Sequence, residues 1–198
     1  RYERERGEGL QVVDGAGRLV MPGLINLHNH VSMTLMRGYA DDLPLMPWLT
    51  EKIWPFEAKL DGDDIYSGAE LGIAEMLLGG TTAFVDMYWY ADRVAEAAIR
   101  SGIRAVVSPA FVGTAFDGYV ERTQRMIERY NGAAGDRIRV WVAPHAPYTC
   151  TPEQIRESLT LCERNGVGVA NGTVKRRWSI YAISVFSITA RWRCIAST

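Results

Sequence analysis

The feature of this sequence that most constrains its fold is a regular alternation of short apolar runs with longer segments of helical spacing. The apolar runs predict strands over 24–28, 81–87, 103–108 and 138–143. The spacing of apolar residues predicts helices over 63–78, 92–100, 119–130 and 151–164. This alternation is typical of a parallel α/β sheet, and nearly continuous apolar strands indicate that both faces are covered. The sequence therefore predicts four strand–helix units and the start of a fifth strand at 167–170.

Particular residues mark where the predicted elements begin and end. Pro109 and Pro144 are predicted to stop the strands before them, because proline donates no backbone hydrogen bond. Thr151 is predicted to cap the last helix, with Pro152 at its first position and Gln154 completing a capping box. These signals delimit the third and fourth units.

Two segments fall outside the alternation. Asp14-Gly15, between apolar residues, predicts a hairpin over 10–22. Residues 31–62 are rich in Met, Pro and Trp and lack helical spacing. A loop that long in a compact domain is typical of a functional segment.

The composition is that of a globular protein, with 47% apolar and 23% charged residues, and it excludes collagen-like and strongly disordered classes. The three cysteines form no CxxC pair, which argues against a disulfide framework or a zinc ribbon. No secretory signal is evident, and no apolar run reaches the ~20 residues needed to cross a membrane. We therefore expect a cytoplasmic protein with no membrane partner.

The net charge of −1 hides an uneven distribution. Residues 1–163 carry all 23 acidic side chains and 16 of the 22 basic ones. Residues 164–198 carry the other six basic side chains and no acidic one. Such asymmetry is typical of a basic arm that binds nucleic acid, or of a segment foreign to the rest of the protein.

The first candidate site is the His28-Asn29-His30 run at the end of the first strand. Residues i and i+2 of a strand point to the same side, so His28 and His30 can reach one ion while Asn29 points away. Zinc and iron both accept neutral imidazole nitrogen. The alternative is a pair of surface histidines in a loop.

Two other polar residues end predicted strands. His145 lies between Pro144 and Pro147, which suit the rigid placement of a catalytic or substrate-contacting group. The alternative is a turn histidine with a satisfied hydrogen bond. Asp86 ends the second strand, where a carboxylate can orient a metal-bound histidine. The alternative there is a helix cap or a loop-anchoring carboxylate.

His28, Asp86 and His145 thus end three different strands. The carboxyl ends of parallel barrel strands converge on the active site. Packing alone is a poor explanation for polar groups in corresponding positions, so we expect the three side chains to lie at one end of the sheet.

The long segment 31–62 holds further candidates. Glu57 lies among apolar neighbours, where a carboxylate can accept hydrogen bonds from a sugar diol; the alternative is a solvated acid at a helix start. Trp48 is a candidate to contact a flat base; the alternative is an ordinary core position. The apolar residues that would form a pocket with Trp48 are Trp54, Met33, Met36 and Met46.

Several motifs together resemble one known family. The run from Val20 to His30 (VMPGLINLHNH) is similar to the first strand of an amidohydrolase-superfamily barrel. The other motifs are TLMRG at 34–38, WL at 48–49, WPFE at 54–57, GTT at 80–82, VDMY at 85–88 and APHAPYTC at 143–150. The set resembles the S-adenosylhomocysteine/5-methylthioadenosine deaminases and their chlorohydrolase-like relatives, over about residues 10–169.

The resemblance implies a (β/α)8 barrel with a small β-sandwich formed by the chain ends. It implies one divalent metal, usually zinc, that activates water to attack a purine carbon and release ammonia. His28 and His30 match metal ligands, Glu57 matches the acid that binds ribose hydroxyls, and His145 matches a substrate contact. The implied partner is a small nucleoside or related heterocycle, and the oligomeric state stays open, a homo-oligomer included.

The chain also departs from the family. A third metal histidine and a proton-shuttling glutamate are implied near 170–175, where the residues read ANGTVK, so no catalytic residue is assigned. Ser108-Pro109-Ala110 stands where relatives that act on adenosyl nucleosides often have an arginine. Another branch, such as the triazine, guanine or cytosine hydrolases, therefore remains an alternative.

A (β/α)8 barrel takes ~250 residues, so we expect this chain of 198 to form an incomplete TIM barrel. The expected division is a β-sandwich remnant over 1–22, half of the barrel over 23–170 and a basic tail over 171–198. We interpret the tail as a frame-shifted translation and expect the chain alone to be inactive. The alternatives are a nucleic-acid arm, which we do not expect, and a membrane hook.

Overall fold

The computed structural model describes residues 15–113, 116–147 and 149–170. Its centre is a parallel sheet of five strands: β1 (Leu24–Asn29), β2 (Thr81–Tyr88), β3 (Arg104–Phe111), β4 (Ile138–Val140) and β5 (Ala143–Pro144). Four longer helices accompany it: α1 (Gly62–Leu78), α2 (Ala91–Ser101), α3 (Tyr119–Tyr130) and α4 (Pro152–Asn165). The short helical segments are Val31–Met36, Leu45–Pro47, Trp48–Ile53, Trp54–Glu57 and Ala133–Asp136.

The strands lie in chain order, and every pair of neighbours is parallel. The order is β1-β2-β3-β4, with β5 pairing with the far end of β3. Successive strands are neighbours in a barrel, whereas a doubly wound sheet reverses its order at a switch point. The predicted α/β class is therefore confirmed. Closure into a barrel stays a prediction, as does a β-sandwich remnant.

Beyond β4 the backbone begins another strand. The amide of Val142 donates to the carbonyl of Gly168 at 3.0 Å, and the amide of Ala170 donates to the carbonyl of Val142 at 2.8 Å. Val142 and Val169 form a parallel bridge. The strand start predicted at 167–170 is thus present, and it pairs with Val142, which lies between β4 and β5. The single strand predicted over 138–143 is divided into β4 and β5 at this point.

The prediction that Pro109 ends the third strand is wrong. β3 continues through Pro109 to Phe111. Ala110 and Phe111 pair with β5, and the carbonyl of Phe111 accepts the amide of His145 at 3.2 Å. These bonds beyond the proline hold the backbone extended, although Pro109 itself donates none.

The interpretation of residues 31–62 as a helix-poor loop is also wrong, because four of the short helical segments lie there. The Ser32 hydroxyl donates to the carbonyl of Ile65, and the Thr34 hydroxyl to the carbonyl of Gly68, both at 2.8 Å. A Cβ at Gly68 would lie 2.7 Å from the Ser32 carbonyl oxygen, so this close approach requires glycine. The segment is therefore bound to α1.

Helix boundaries were the most accurate predictions. The Thr151 hydroxyl accepts the amide of Gln154, and the Gln154 side chain accepts the amide of Thr151, which completes the predicted capping box. The described part of the predicted hairpin, 15–22, contains a turn but no strand. The rest of that hairpin and the tail 171–198 lie outside the described residues. None of the helices in the described ranges is both long and apolar enough to cross a membrane.

Buried apolar side chains lie on both faces of the central strands. The helix-facing core includes Phe84, Tyr88, Ala105 and Val107. The opposite face carries a second cluster, which includes Val85, Met87, Val106 and Trp141. β1 is different, because Leu24, Ile25 and Leu27 are 55%, 43% and 44% exposed. Packing of the described residues therefore depends on β2 and β3 far more than on β1.

This difference predicts the stability of two matched variants. Phe84→Ala empties a site that is 0% exposed, so it is expected to lower the free energy of unfolding by about 3–5 kcal/mol. Leu24→Ala, at an exposed position, is expected to cost less than about 1 kcal/mol. Urea denaturation followed by circular dichroism measures both, and Phe84→Leu provides a milder variant that stays folded. Equal losses for the two alanine variants would contradict this core.

Candidate active site

The ends of β1 and β5 bring all three histidines of the chain to one edge of the sheet. The ring centroids of His28 and His30 are 5.2 Å apart, with an angle of 77° between the planes. The Asn29 amide nitrogen instead contacts the Met76 sulfur on α1, at 3.8 Å. The two histidines therefore share one side of the strand, as the alternation in the sequence led us to expect.

A backbone carbonyl determines which nitrogen of His30 carries the proton. His30 Nδ1 lies 2.6 Å from the carbonyl oxygen of Met87. A carbonyl oxygen only accepts, so Nδ1 is the donor and Nε2 keeps its lone pair in the neutral ring. A histidine ligand is usually oriented by such a bond from its other nitrogen.

Burial keeps two of the histidines neutral. The pKa of His28 is lowered by burial and then by the charge of His30. The pKa of His145 is lowered by burial and then by the charge of His28, which places His145 near the β1 pair. Neutral imidazole is the form that binds metal ions and accepts hydrogen bonds.

His145 is anchored by the turn that follows β5. Its Nδ1 lies 2.9 Å from the hydroxyl oxygen of Thr149, and that hydroxyl donates to the carbonyl of Ala146 at 3.1 Å. The Thr149 hydroxyl thus links the His145 ring to the backbone of the turn. The expected rigid placement has this hydrogen bond as its physical cause, in addition to the flanking prolines.

Asp86 contacts the backbone that follows β1 and does not contact the histidine side chains by a hydrogen bond among the described residues. Its Oδ1 accepts the amide of Val31 at 2.7 Å, directly after His30. Within the described ranges no hydrogen bond joins Asp86 to His28 or His30. The carboxyl is fully buried, its Oδ2 has no partner among the described residues, and burial raises its pKa to about 7. This geometry is that of a carboxyl that anchors a loop.

Glu57 is held by two aromatic donors at the end of β2. The Tyr88 hydroxyl donates to Oε1 at 2.7 Å, and the Trp89 indole donates to Oε2 at 3.2 Å. Glu57 is half-buried at the end of the Trp54–Glu57 helix. Its carboxylate is therefore oriented by the protein and is not a freely solvated acid.

The apolar residues proposed to surround Trp48 divide between core and surface. Trp48 and Met33 pack against the main core cluster, and Met36 is buried within it. Met46 is 58% exposed, and Trp54 lines a cleft beside Glu57. Of these five side chains, Trp54 alone belongs to the lining of that cleft, and a base-binding role for Trp48 stays a prediction.

A cleft of about 890 Å³ opens beside Glu57, between the residues after β2 and β3 and one face of α3. Its lining includes Glu57, Tyr88, Trp89, Arg122, Arg125 and Arg129. The three histidines lie outside it. Tyr88 contacts both places, because its ring centroid is 5.9 Å from that of His30 while its hydroxyl reaches Glu57.

The sequence-based predictions included no role for Tyr88, Trp89 or the arginines of α3. The signal for the first two was present, because they directly follow Met87 at the end of a strand already singled out for Asp86. The arginines at 122, 125 and 129 follow helical spacing, which places them on one face of α3. That pattern alone does not distinguish a cleft wall from a solvated face.

The fit of a metal ion to these residues is partial. His28 and His30 are paired, and the Nδ1 bond of His30 leaves Nε2 as its ligand nitrogen, so they can form half of a site. In the ranges that the structure describes, no group of three or more His, Cys, Asp or Glu side chains is placed to hold a metal. Residues 171–175, where the family resemblance implies further machinery, lie outside those ranges.

A parallel strand–helix sheet with histidines at its strand ends places the chain in the class of α/β enzymes whose sites lie at the carboxyl ends of the strands. Residues 19–172 match the model of the amidohydrolase family. The chain belongs to this family, and its parallel sheet is consistent with the amidohydrolase barrel.

Individual relatives agree with this assignment. A 5'-deoxyadenosine deaminase of Methanothermobacter thermautotrophicus is 47% identical over 163 residues, which are 80% of this chain and 38% of that protein. A 5-methylthioadenosine/S-adenosylhomocysteine deaminase of Symbiobacterium thermophilum is 48% identical over 81% of this chain and 38% of that protein. The chain thus spans about 38% of the length of these relatives.

One solved structure is similar in both sequence and fold. The crystal structure of an adenosine deaminase from Xanthomonas campestris with bound zinc has a TM-score of 0.72 and 38% identity. The similarity covers 77% of this chain and 36% of that one. It extends the family assignment to the arrangement of the strands.

The buried carboxyl predicts how stability depends on pH. Because the pKa of Asp86 is raised from 3.8 to about 7, the folded state holds this proton more tightly than the unfolded state. The contribution of the protonated carboxyl to the free energy of unfolding is fully present below about pH 4 and is lost as the pH rises to about 7. Asp86→Asn, which keeps an oxygen for the Val31 amide, is expected to remove this dependence and to raise the unfolding free energy at pH 8 by up to about 4 kcal/mol.

Urea denaturation at pH 4.5, 6 and 8 measures this effect. Asp41→Asn, at an exposed carboxyl, serves as the control and is expected to follow the wild type throughout. Asp86→Ala removes the acceptor for the Val31 amide and is expected to be less stable than Asp86→Asn by about 1–3 kcal/mol. A pH profile of Asp86→Asn that matches the wild type would disprove the raised pKa.

Proposed function

We propose that this chain is part of a metal-dependent hydrolase that acts on C–N bonds other than peptide bonds and deaminates a purine nucleoside or a related heterocycle. The observation that carries the proposal is that neighbouring residues at the end of β2 contact both the histidine pair and Glu57. Met87 contacts His30, and the next residue, Tyr88, contacts Glu57. The three relatives described above are named as deaminases of adenosine or of adenosine derivatives, which agrees with the proposed chemistry.

The proposed metal is one divalent ion, zinc in the first instance, because the similar deaminase structure contains zinc. His28 and His30 would hold it, and the ion, when bound, supplies the activated water. His30 is prepared for this role by its Nδ1 bond, which leaves Nε2 as the ligand atom. Asp86 supports it indirectly, by fixing the backbone at Val31.

Substrate contacts are assigned to the remaining candidates. Glu57, as an oriented carboxylate, accepts the hydroxyls of the sugar. His145, held through Thr149 at the end of β5, is assigned to contact the base. Trp48 is assigned to contact the base; its ring packs against the core cluster and does not line the cleft beside Glu57.

The 198-residue chain is proposed to be inactive alone. It has three histidines, and two of them, His28 and His30, lie at the end of β1, where the metal is proposed to bind. No residue is assigned as the proton shuttle, because the run at 170–175 contains neither histidine nor glutamate. Two ligands hold zinc far less tightly than the three protein ligands of catalytic zinc sites.

Zinc and ammonia measurements test this proposal. The chain, dialysed after zinc loading, is expected to retain much less than one zinc per molecule and to release no ammonia from adenosine or 5'-methylthioadenosine. In a titration against a chromophoric chelator, His28→Asn and His30→Asn are each expected to weaken the residual affinity by at least about tenfold. His145→Asn is the matched control and is expected to leave it unchanged. One retained zinc together with ammonia release would overturn the proposed inactivity.

A second candidate is a different branch of the family that acts on a triazine, guanine or cytosine ring. The observation in its favour is Ser108-Pro109-Ala110 at the end of β3, where the family resemblance implies an arginine for enzymes that act on adenosyl nucleosides. Comparing adenosine, guanine, cytosine and a chlorotriazine as ligands of the chain separates the branches. Preference for a free base or triazine over adenosine would favour this second candidate.

A further inference from the structure

Both oxygens of the Glu57 carboxylate are already engaged before any ligand is present. Tyr88 donates to Oε1 and Trp89 donates to Oε2, so each oxygen has one donor among the residues that the structure describes. A carboxylate oxygen accepts about two hydrogen bonds. Beyond these two donors, one acceptor direction remains on each oxygen of the carboxylate.

The two donors are held rigidly. Tyr88 is 4% exposed and packs in the main core cluster, and Trp89 packs against the same cluster. An ionised carboxylate only accepts hydrogen bonds, so in this pair the Tyr88 hydroxyl is the donor. Glu57 is consequently fixed from the β2 side.

The stretch Met87-Tyr88-Trp89, which orients Glu57, also fixes His30. The Met87 carbonyl accepts from His30 Nδ1 at 2.6 Å, and the Tyr88 ring lies against the His30 ring. Successive residues of one strand thus hold a proposed metal ligand and the proposed sugar-binding carboxylate. Because a β-strand barely stretches, the separation between these two groups is set by β2.

We propose that Tyr88 and Trp89 are positioning residues, which orient the Glu57 carboxylate so that its two remaining acceptor directions receive a vicinal diol. This inference rests on the function proposed above. Without the Tyr88 hydroxyl, Oε1 loses its donor and the carboxylate can rotate, so its two acceptor directions are no longer fixed for adjacent hydroxyls. The loss therefore falls on ligands that have the diol and spares those that lack it.

The experiment compares two probes, adenosine and 2',3'-dideoxyadenosine, which lacks both sugar hydroxyls. Ligand-observed NMR titrations measure the dissociation constants for the complete 198-residue chain. The wild type is expected to prefer adenosine. Tyr88→Phe and Trp89→Phe are each expected to reduce that preference by about three- to tenfold, with the affinity for 2',3'-dideoxyadenosine unchanged.

Two further variants separate positioning from general structural damage. Tyr66→Phe removes a tyrosine hydroxyl that contacts Arg100 outside the cleft, and it is expected to leave the preference intact. Glu57→Gln is expected to reduce the preference by itself, and adding Tyr88→Phe to it is expected to have no further effect. This non-additivity shows that Tyr88 acts through Glu57.

The possible results distinguish the positioning role from the proposed function. If Tyr88→Phe weakens both nucleosides equally, or leaves the adenosine preference intact, the positioning role is overturned while the proposed function stands. If the wild type itself shows no preference for adenosine, the assignment of Glu57 to a diol fails, and the positioning role falls with it. That second failure is visible before any variant is made, so the two are distinguishable.

Discussion

The parallel pairing of β1 with β2 is the contact on which the candidate site depends. Asn29 lies opposite Asp86 in the register, and this places Asp86 beside the Val31 amide and the Met87 carbonyl beside His30. Side chains alternate between the faces of a strand, so a shift of one residue would turn the histidines away. The backbone hydrogen bonds between β1 and β2 therefore set the geometry of the site.

Burial decides the charge state of the groups around these strand ends. It lowers the pKa of His28 and His145 and raises the pKa of Asp86 and Tyr88. All four shifts favour the neutral form, because the interior solvates charge poorly. The histidines are thereby kept as ligands or acceptors, and Tyr88 as a donor. The cost appears at Asp86, whose buried carboxyl has an oxygen with no partner among the described residues.

Much of the fold could be predicted because the signals were local. The Thr151 capping box and the bounds of α3 depend on neighbours a few residues apart, and both were confirmed. The failures were non-local. Pro109 did not end its strand, because pairing with β5 held the chain beyond it. The 31–62 segment became helical because it docks on α1, through contacts such as Ser32 with Ile65.

The sequence by itself determined the βα order, the spacing of His28 and His30 and the family, because each is written in residue types at fixed intervals. Only the tertiary structure decided what each side chain contacts. It turned Asp86 toward the Val31 amide, and it joined Glu57 to Tyr88 and Trp89, residues 31 and 32 positions away along the chain. Such contacts depend on how strands and loops pack together, and no local pattern encodes them.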